Sequence, residues 1–321
     1  MIARSAKFTG TGSTQIIPVG DIGGQIDLVW IWNEAGNYSV FGTKDSGGNS
    51  FQLGNDSAPI ATDITNIGSN QFTVGSGADA NQNADVLHYL AVRNDGANDF
   101  KVGTYVGDGA ASKSISGLGF QPDFVLLRRG SPSVANAYDN YRSSGVPNSG
   151  RFDSATINNR ITSLDADGFS VGSSTTDVND NGVTYYYVAF KNTSGKFKHA
   201  TYTGNGSAGH GITGVGFKPD EVMIIDTSTS QLGVENDRSD AGDKTQIVRS
   251  NAATTGIITS LDSDGFTLGT SIRSNQNTDV YNYFAFLAPA PVNNTGEDSY
   301  LASVSPALQQ LRFYKKEVRE F

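Results

Sequence analysis

Residues 161–174 read ITSLDADGFSVGSS, and this stretch decides the fold because the chain repeats it. The pattern returns as ITSLDSDGFTLGTS at residues 258–271, and a divergent copy, ITNIGSNQFTVGS, occupies residues 64–76. Glycine accepts a positive φ without strain, so the Asp-x-Asp-Gly sequence of the two close copies predicts a tight turn between two short strands. Three copies of one hairpin predict a chain built from three similar units.

Other segments recur on both sides of this hairpin. An aspartate precedes an unbroken apolar run in each unit, at Asp27, Asp123 and Asp220. An apolar run without alternation predicts a central strand that is buried on both faces. Each unit ends on a strand that contains tyrosine, at residues 87–92, 185–190 and 281–286. One face of this closing strand carries Leu, Val or Phe and is predicted to be core. The opposite face carries Tyr and Ala. These residues could serve recognition or packing, and the pattern favours packing.

The spacing of the repeats indicates the domain organisation. The three aspartates are 96 and 97 residues apart, which is the size of one β-sandwich of about seven short strands. The sequence therefore predicts an all-β protein of three tandem, jelly-roll-like β-sandwich repeats of about 95 residues each. We place unit one at residues 1–98, unit two at 99–195 and unit three at 196–288. The short polar joins at 94–99 and 192–196 predict that neighbouring units touch.

Residues 289–321 differ in composition from the repeats. A linker rich in Pro, Asn and Gly leads to Ser305 and Pro306, a pair that favours the start of a helix. We expect this C-terminal arm to anchor the protein to a partner through its apolar side chains, or to fold back on unit three as a cap. The anchoring residues are predicted to be Leu308, Leu311, Phe313, Tyr314, Val318 and Phe321.

Composition argues against several classes of function. A net charge of −9 argues against nucleic-acid binding through a broad basic face. Because the chain has no cysteine, it has no disulfides, thiolate metal sites or cysteine nucleophiles. No apolar run approaches the roughly 20 residues of a transmembrane helix, and the first residues lead into a strand-like pattern rather than a secretory signal. We expect no membrane insertion and no cofactor.

Metal binding and catalysis find weak support in the residue patterns. Residues 177–182 match the first half of a calcium loop, but the glutamate that the loop needs is replaced by Val188, which favours an Asn-Gly turn. The Asp-x-Asp-Gly corners could gather a cation, although turn chemistry already explains them. His88, His199 and His210 have no recognisable nucleophile signature beside them. We therefore predict no metal site and no enzymatic activity.

Binding is better supported, in the variable stretch of unit two. This stretch combines planar donors with aromatic rings, which are over-represented in recognition surfaces, and loops on a rigid sandwich commonly carry recognition. The alternative is that Tyr138 and Tyr141 cover the sandwich or pack on a neighbouring unit. The candidate ligand-binding or partner-binding residues are Arg128, Arg129, Tyr138, Tyr141 and Arg142.

The repeated motifs also carry a resemblance. Gly-Phe-x-Pro-Asp-x-Val, followed by Ser-x-Asp-x-Asp-Gly-Phe and a Tyr-x-Ala strand, resembles a repeat of bacteriophage virion proteins that are structural or tail-associated. The similarity covers residues 8–287 and is strongest in units two and three. Unit one has Gly24-Gln25-Ile26 in place of the first motif and no Asp-x-Asp-Gly corner, but it keeps Trp30, where the family commonly has tryptophan.

The resemblance implies a virion component that is assembled in the host cytoplasm, and it brings no catalytic residues. We expect a capsid decoration or tail-associated protein that binds other virion proteins and copies of itself. The alternative is a receptor-binding module of a tail fibre or spike that grips a host surface polysaccharide.

Overall fold

The fold of the chain is taken from a computed structural model that describes residues 1–55, 57–130, 140–145, 149–152, 154–173, 177–228, 233–237, 244–248 and 251–292. Antiparallel strands dominate these residues, so the all-β prediction is confirmed. Helices within these ranges are single turns, at Gly20–Ile22 (3-10), Ala78–Asn81 (α1) and Ile272–Asn275 (α2), and none of them is long and apolar enough to cross a membrane.

Each unit contains two antiparallel sheets. The strands of unit one are β1 (Ile2–Thr9), β2 (Gln15–Pro18), β3 (Leu28–Asn33), β4 (Val40–Thr43), β5 (Phe51–Gln52), β6 (Ile64–Ile67), β7 (Gln71–Val74) and β8 (Val86–Arg93). Those of unit two are β9 (Phe100–Val106), β10 (Ser112–Ser116), β11 (Phe124–Arg129), β12 (Asn140–Ser143), β13 (Ser149–Arg151), β14 (Ser154–Ile157), β15 (Ile161–Asp165), β16 (Gly168–Gly172) and β17 (Thr184–Phe190). Those of unit three are β18 (Phe197–Thr203), β19 (His210–Thr213), β20 (Glu221–Asp226), β21 (Val234–Asp237), β22 (Thr245–Ile247), β23 (Asn251–Thr254), β24 (Ile258–Asp262), β25 (Gly265–Leu268) and β26 (Val280–Phe286).

The large sheet of each unit has its closing strand between the first strand and the central strand. The orders are β1-β8-β3-β4-β5, β14-β13-β12-β11-β17-β9 and β18-β26-β20-β21-β22-β23. Every residue of the central strands β3, β11 and β20 is buried, as the unbroken apolar runs predict. The aspartate before each central strand has a structural task. Through its carboxylate it accepts the backbone N–H of the residue that leaves the closing strand, at distances of 2.7, 2.7 and 3.0 Å in the three units.

The repeated hairpin forms the small sheet. β15 and β16 pair so that Leu164 faces Phe169 and Asp165 faces Gly168, and β10 adds a third strand. The corresponding sheets of units three and one are β19-β25-β24 and β2-β7-β6. The hairpin therefore has the form that the sequence predicts, including a positive φ of 156° at Gly168 and 151° at Gly265.

Each sandwich has its own core between its large and small sheets. In unit two, Phe169 of the small sheet contacts Tyr187 of the closing strand, with ring centroids 5.4 Å apart. Phe266 and Tyr283 repeat this contact in unit three at 5.3 Å, and Phe72 and Tyr89 in unit one at 5.1 Å. The tyrosine face of the closing strand is therefore the face that fills each sandwich.

The other face of the closing strand belongs to a fourth core, which all three units share. The prediction that the Leu, Val or Phe face is core is confirmed, and the large sheets of the three units bury this face against one another. Equivalent positions on the three closing strands meet in this cluster as Leu90, Val188 and Phe284, and again as Val92, Phe190 and Phe286. The central strands add Trp30, Leu126 and Met223.

Contacts join every pair of units, so the three units form a closed ring around the shared core. Trp30 meets Phe152 at 6.0 Å between units one and two, and Phe124 meets Phe284 at 4.4 Å between units two and three. Units three and one are joined where Lys244 forms a 2.7 Å ion pair with Glu34. The hydrogen bond from His88 and this lysine lower the pKa of Glu34 to about 2.

The chain completes the ring after unit three. The carbonyl of Ala288 accepts hydrogen bonds from the backbone N–H and the hydroxyl of Ser5, at 3.1 and 3.0 Å. Val292 then donates its N–H to Asp21 at 3.1 Å. The described part of the chain therefore ends against unit one. The predicted helix and anchoring side chains of the C-terminal arm lie outside the described residues.

Gly168→Ala tests the hairpin corner. A Cβ on Gly168 would lie 1.9 Å from the carbonyl oxygen of Ile115, in addition to the strain of its positive φ. We expect the free energy of unfolding to fall by about 2 kcal/mol or more, measured by chemical denaturation. The matched control is Gly211→Ala in β19, where a Cβ meets no atom within 4 Å. Equal stability of the two variants would show that the corner needs no glycine.

Candidate binding cleft

The structure corrects the interpretation of Arg128 and Arg129 as recognition residues on a loop. Strand β11 continues through both, because they pair with Tyr186 and Tyr185 of β17. The two arginines are 0% and 5% exposed. The guanidinium of Arg128 donates to the carbonyl oxygens of Asn55 and Ser57 in unit one, at 2.8 and 3.0 Å. It joins units one and two and is not presented to a ligand.

Arg129 has a similar structural task inside unit two. Its guanidinium forms a 2.7 Å ion pair with Asp180, in the loop before the closing strand. The hydroxyl of Tyr185 accepts the N–H of Asp180 at 3.0 Å. These contacts fix the loop at residues 179–182, which the sequence left open between a turn and half of a calcium site.

Tyr141 packs inside the protein, as the alternative interpretation predicted. It is 1% exposed and belongs to the shared core, with its ring 6.1 Å from Phe124 and 5.6 Å from Phe152. Tyr138 lies outside the described residues. Among the sequence-predicted binding residues that the structure describes, Arg142 is the one that reaches an open cavity.

Arg142 lines a cleft at one end of the unit-two sandwich. The cleft has a volume of about 570 Å³ and opens between the large sheet and the turn of the small sheet. Its lining comes from the residues before β11, from the end of β12 and the two residues after it, from β15, and from the residue after β17. The lining residues are Gln121, Pro122, Asp123, Arg142, Ser143, Ser144, Gly145, Ser163, Leu164 and Lys191.

The position of Arg142 follows from strand register. Arg142 pairs with Val125, whose side chain faces the sandwich core, so the arginine also points towards the small sheet. It is half-buried there, and its Nη1 donates to the carbonyl oxygen of Ile161 at 3.0 Å. Burial lowers the pKa of Arg142 from its usual value, but a guanidinium keeps its charge in proteins.

Beneath the cleft, a serine, a histidine and an asparagine connect units two and three. Ser144 Oγ lies 3.4 Å from His199 Nδ1, and His199 Nε2 lies 3.0 Å from Asn282 Oδ1. The arrangement superficially matches a nucleophile and its base. However, Ser144 donates its hydroxyl to Asp123 at the shorter distance of 3.0 Å, and His199 is 2% exposed against the ring of Phe284. These contacts suit a polar link between two units.

The aspartates at the corners of the small sheets bind backbone N–H groups of the same chain. Asp167 accepts the N–H groups of Gly117 and Gly119, at 3.0 and 2.6 Å, and these bonds lower the pKa of its carboxyl group. In unit three, Asp264 accepts the N–H groups of Gly214 and Gly216, at 3.1 and 2.6 Å. The described ranges contain no cluster of three or more His, Asp or Glu side chains that could hold a metal ion. The corners are explained as turn chemistry.

Sequence reasoning missed three buried asparagines. Asn81, Asn179 and Asn275 are each 0% exposed and occupy equivalent positions. Each accepts a backbone N–H from the loop after the first strand of its unit. Asn81 and Asn275 each donate to two carbonyl oxygens, whereas Asn179 donates to the carbonyl oxygen of Ala110 and to the carboxylate of Asp108. Their steps of 98 and 96 residues were the available signal, but in unit two this asparagine was interpreted within the calcium-like turn.

Comparison with known proteins finds one family. A family model described as a domain of unknown function (DUF7483) matches residues 95–196 and again residues 192–310. The first match corresponds to unit two, and the second covers unit three and continues into the arm. No curated protein and no solved structure matches the chain.

His199 predicts a pH dependence of stability. Burial lowers its pKa below the usual 6.5, outweighing Asn282 and Asp123, which favour the charged form. As the pH falls below about 6.5, the unfolded state takes up this proton first, so the free energy of unfolding decreases. We expect His199→Gln to lose part of the decrease between about pH 7 and pH 5, measured by denaturation at several pH values. Parallel profiles of the variant and the parent would refute this role.

Proposed function

The chain belongs to the family described as a domain of unknown function (DUF7483), and we propose that it is a non-catalytic structural protein of a bacteriophage virion. The observation that carries this proposal is the closed ring of three units around one shared core. The resemblance of the repeat to virion proteins supplies the setting.

The ring suits a role in a particle because it is a preassembled block. Cyclic assemblies commonly obtain such a block from separate copies of a chain, whereas here one chain supplies all three units. The buried face of each large sheet contributes to the same core, which joins the three sandwiches. Binding of flexibly linked domains costs free energy because the domains must be ordered, and a preassembled block avoids this cost when it joins a particle.

The regularly placed polar residues support a non-catalytic role. The aspartates before the central strands, the corner aspartates and the buried asparagines all bind backbone groups of their own unit. Their recurrence is explained by folding. His199 and Ser144 connect units three and two, and Ser144 donates its hydroxyl to the carboxylate of Asp123.

The C-terminal arm is the proposed attachment to the particle. Its last described residue, Val292, donates its N–H to Asp21 of unit one. Residues 312–321 contain four basic side chains (Arg312, Lys315, Lys316, Arg319) and two acidic ones (Glu317, Glu320), which gives 4 − 2 = +2 on a chain of net charge −9. Opposite charge would steer this segment towards an acidic partner or a neighbouring copy.

Receptor binding is the second candidate function. It is favoured by the cleft at Arg142, a polar cavity of about 570 Å³ in unit two. A capsid or tail protein that also binds a host polysaccharide would need such a site.

Truncation after Val292 tests the structural role. All described contacts are retained, so we expect a folded, monomeric protein. The full chain and the truncated chain would each be supplied from a plasmid to a phage whose own copy of the gene is deleted. Mass spectrometry of purified particles should find the full chain and miss the truncated one. A full-length variant with Leu308, Leu311 and Phe313 changed to serine controls for length.

Two results would count against the proposal. If the full chain is absent from purified particles, the protein is no virion component. If the truncated chain enters particles at the level of the full chain, the arm is not the anchor and the receptor-binding alternative gains.

A further inference from the structure

We propose that the unit-two cleft binds an acidic saccharide, with a sugar carboxylate on Arg142 and Lys191 and sugar hydroxyls on Ser163 and Gln121. This inference goes beyond the structural role, because it concerns the isolated chain and does not depend on a place in a virion. It assigns a chemical class of ligand to one described cavity.

The size and the lining of the cavity suit one or two sugar rings. Small-molecule sites are typically clefts of about 300–1,000 Å³ with a few convergent polar groups, and this cleft has about 570 Å³. Pro122 and Leu164 offer apolar surface for the C–H face of a ring. Ser163 offers its hydroxyl to the sugar hydroxyls, and Gln121 offers its carboxamide oxygen, because its amide nitrogen donates to the carbonyl oxygen of Leu164 at 2.9 Å.

Charge selects an acidic ligand over a neutral one. Arg142 and Lys191 contribute two positive charges to the cleft, and Asp123 contributes one negative charge. The two oxygens of Asp123 already accept the hydroxyl of Ser144 and the backbone N–H of Asn192, at 3.0 and 2.7 Å. The residues that line the cleft therefore carry a charge of 2 − 1 = +1, in a chain of −9, and Asp123 is turned towards protein donors. Asp165, next to the lining residue Leu164, also interacts electrostatically with Arg142.

Arg142 is preorganised for a carboxylate. Within the described residues its side chain makes one hydrogen bond, from Nη1 to the carbonyl oxygen of Ile161. A guanidinium has five N–H donors in a fixed fork, so donors remain at the cleft. Paired N–H···O bonds from arginine to a carboxylate are short, directional and stronger than neutral ones.

Unit one carries different residues at the same place in the fold. Strand register puts Gly42 where unit two has Arg142, and Lys44 where it has Ser144. Lys44 Nζ lies 3.3 Å from the carboxylate of Asp27, the equivalent of Asp123. In unit two the short Ser144 takes over this contact with the aspartate, and the positive charge lies two residues earlier, on Arg142 of β12, which lines the cavity.

Binding of defined oligosaccharides to the purified full chain tests the proposal. The probes are digalacturonate, its methyl ester, and neutral digalactose, titrated by calorimetry and by NMR. We expect digalacturonate to bind, and the ester and the neutral sugar to bind about tenfold more weakly or not at all. Sulfate at equal ionic strength reports whether any small anion suffices.

Substitutions locate the site. Arg142→Gln and Lys191→Glu should each weaken digalacturonate binding by about tenfold or more. Lys191 is exposed, so its variant should fold even if Arg142→Gln is destabilised. The matched control is Lys113→Gln, a surface lysine of the same unit that pairs with Asp108 at 3.1 Å, and it should bind like the parent.

Three outcomes would overturn the proposal. These are no binding of digalacturonate by the folded parent, equal binding of the neutral sugar or of sulfate, and unchanged binding by Lys191→Glu. None of them bears on incorporation into particles, which is measured with the arm truncation, so the two proposals fail separately.

Discussion

Burial of the second face of each large sheet against the other two units is the constraint on which the rest of the structure depends. An antiparallel sheet can leave one face in water, but here β8, β17 and β26 carry large apolar side chains on both faces. One face is covered by the unit's own small sheet. The other can be covered only by neighbouring units, which fixes three units in one ring and places residues such as Trp30 and Phe190 at its centre.

Around this core, repeated polar residues hold the loops in place by binding backbone groups. The aspartate before each central strand holds the chain as it leaves the closing strand, and the corner aspartate of units two and three holds the glycine-rich loop beside the small sheet. A buried backbone N–H needs a partner, and each carboxylate supplies one where no strand is available. Two of the residues that line the cleft, Arg142 and Ser144, stand where unit one has Gly42 and Lys44.

The sequence predicts what is local and misses what depends on distant partners. The hairpin at residues 161–174 could be predicted because the Asp-x-Asp-Gly sequence has specific turn chemistry. The central strands could be predicted because they are uniformly apolar. Apolar character does not say which surface covers a face, so the shared core was not predicted. Arg128 and Arg129 were expected to be exposed, as charged residues usually are, but their partners lie in unit one and in the loop at Asp180. Residue type identified Arg142, whereas Lys191 and Ser163 reach the same cleft only through the fold.

Native-state hydrogen exchange tests most directly whether the three units form one cooperative structure. The slowest amides of β3, β11 and β20 should exchange with the same opening free energy, because a shared core opens as a whole. Phe190→Ala removes a ring that contacts Phe100 of its own unit and Phe197 and Phe286 of unit three. It should lower all three opening free energies together, by about 3–5 kcal/mol. A loss confined to β11, with β3 and β20 unchanged, would show instead that the units fold independently and merely touch.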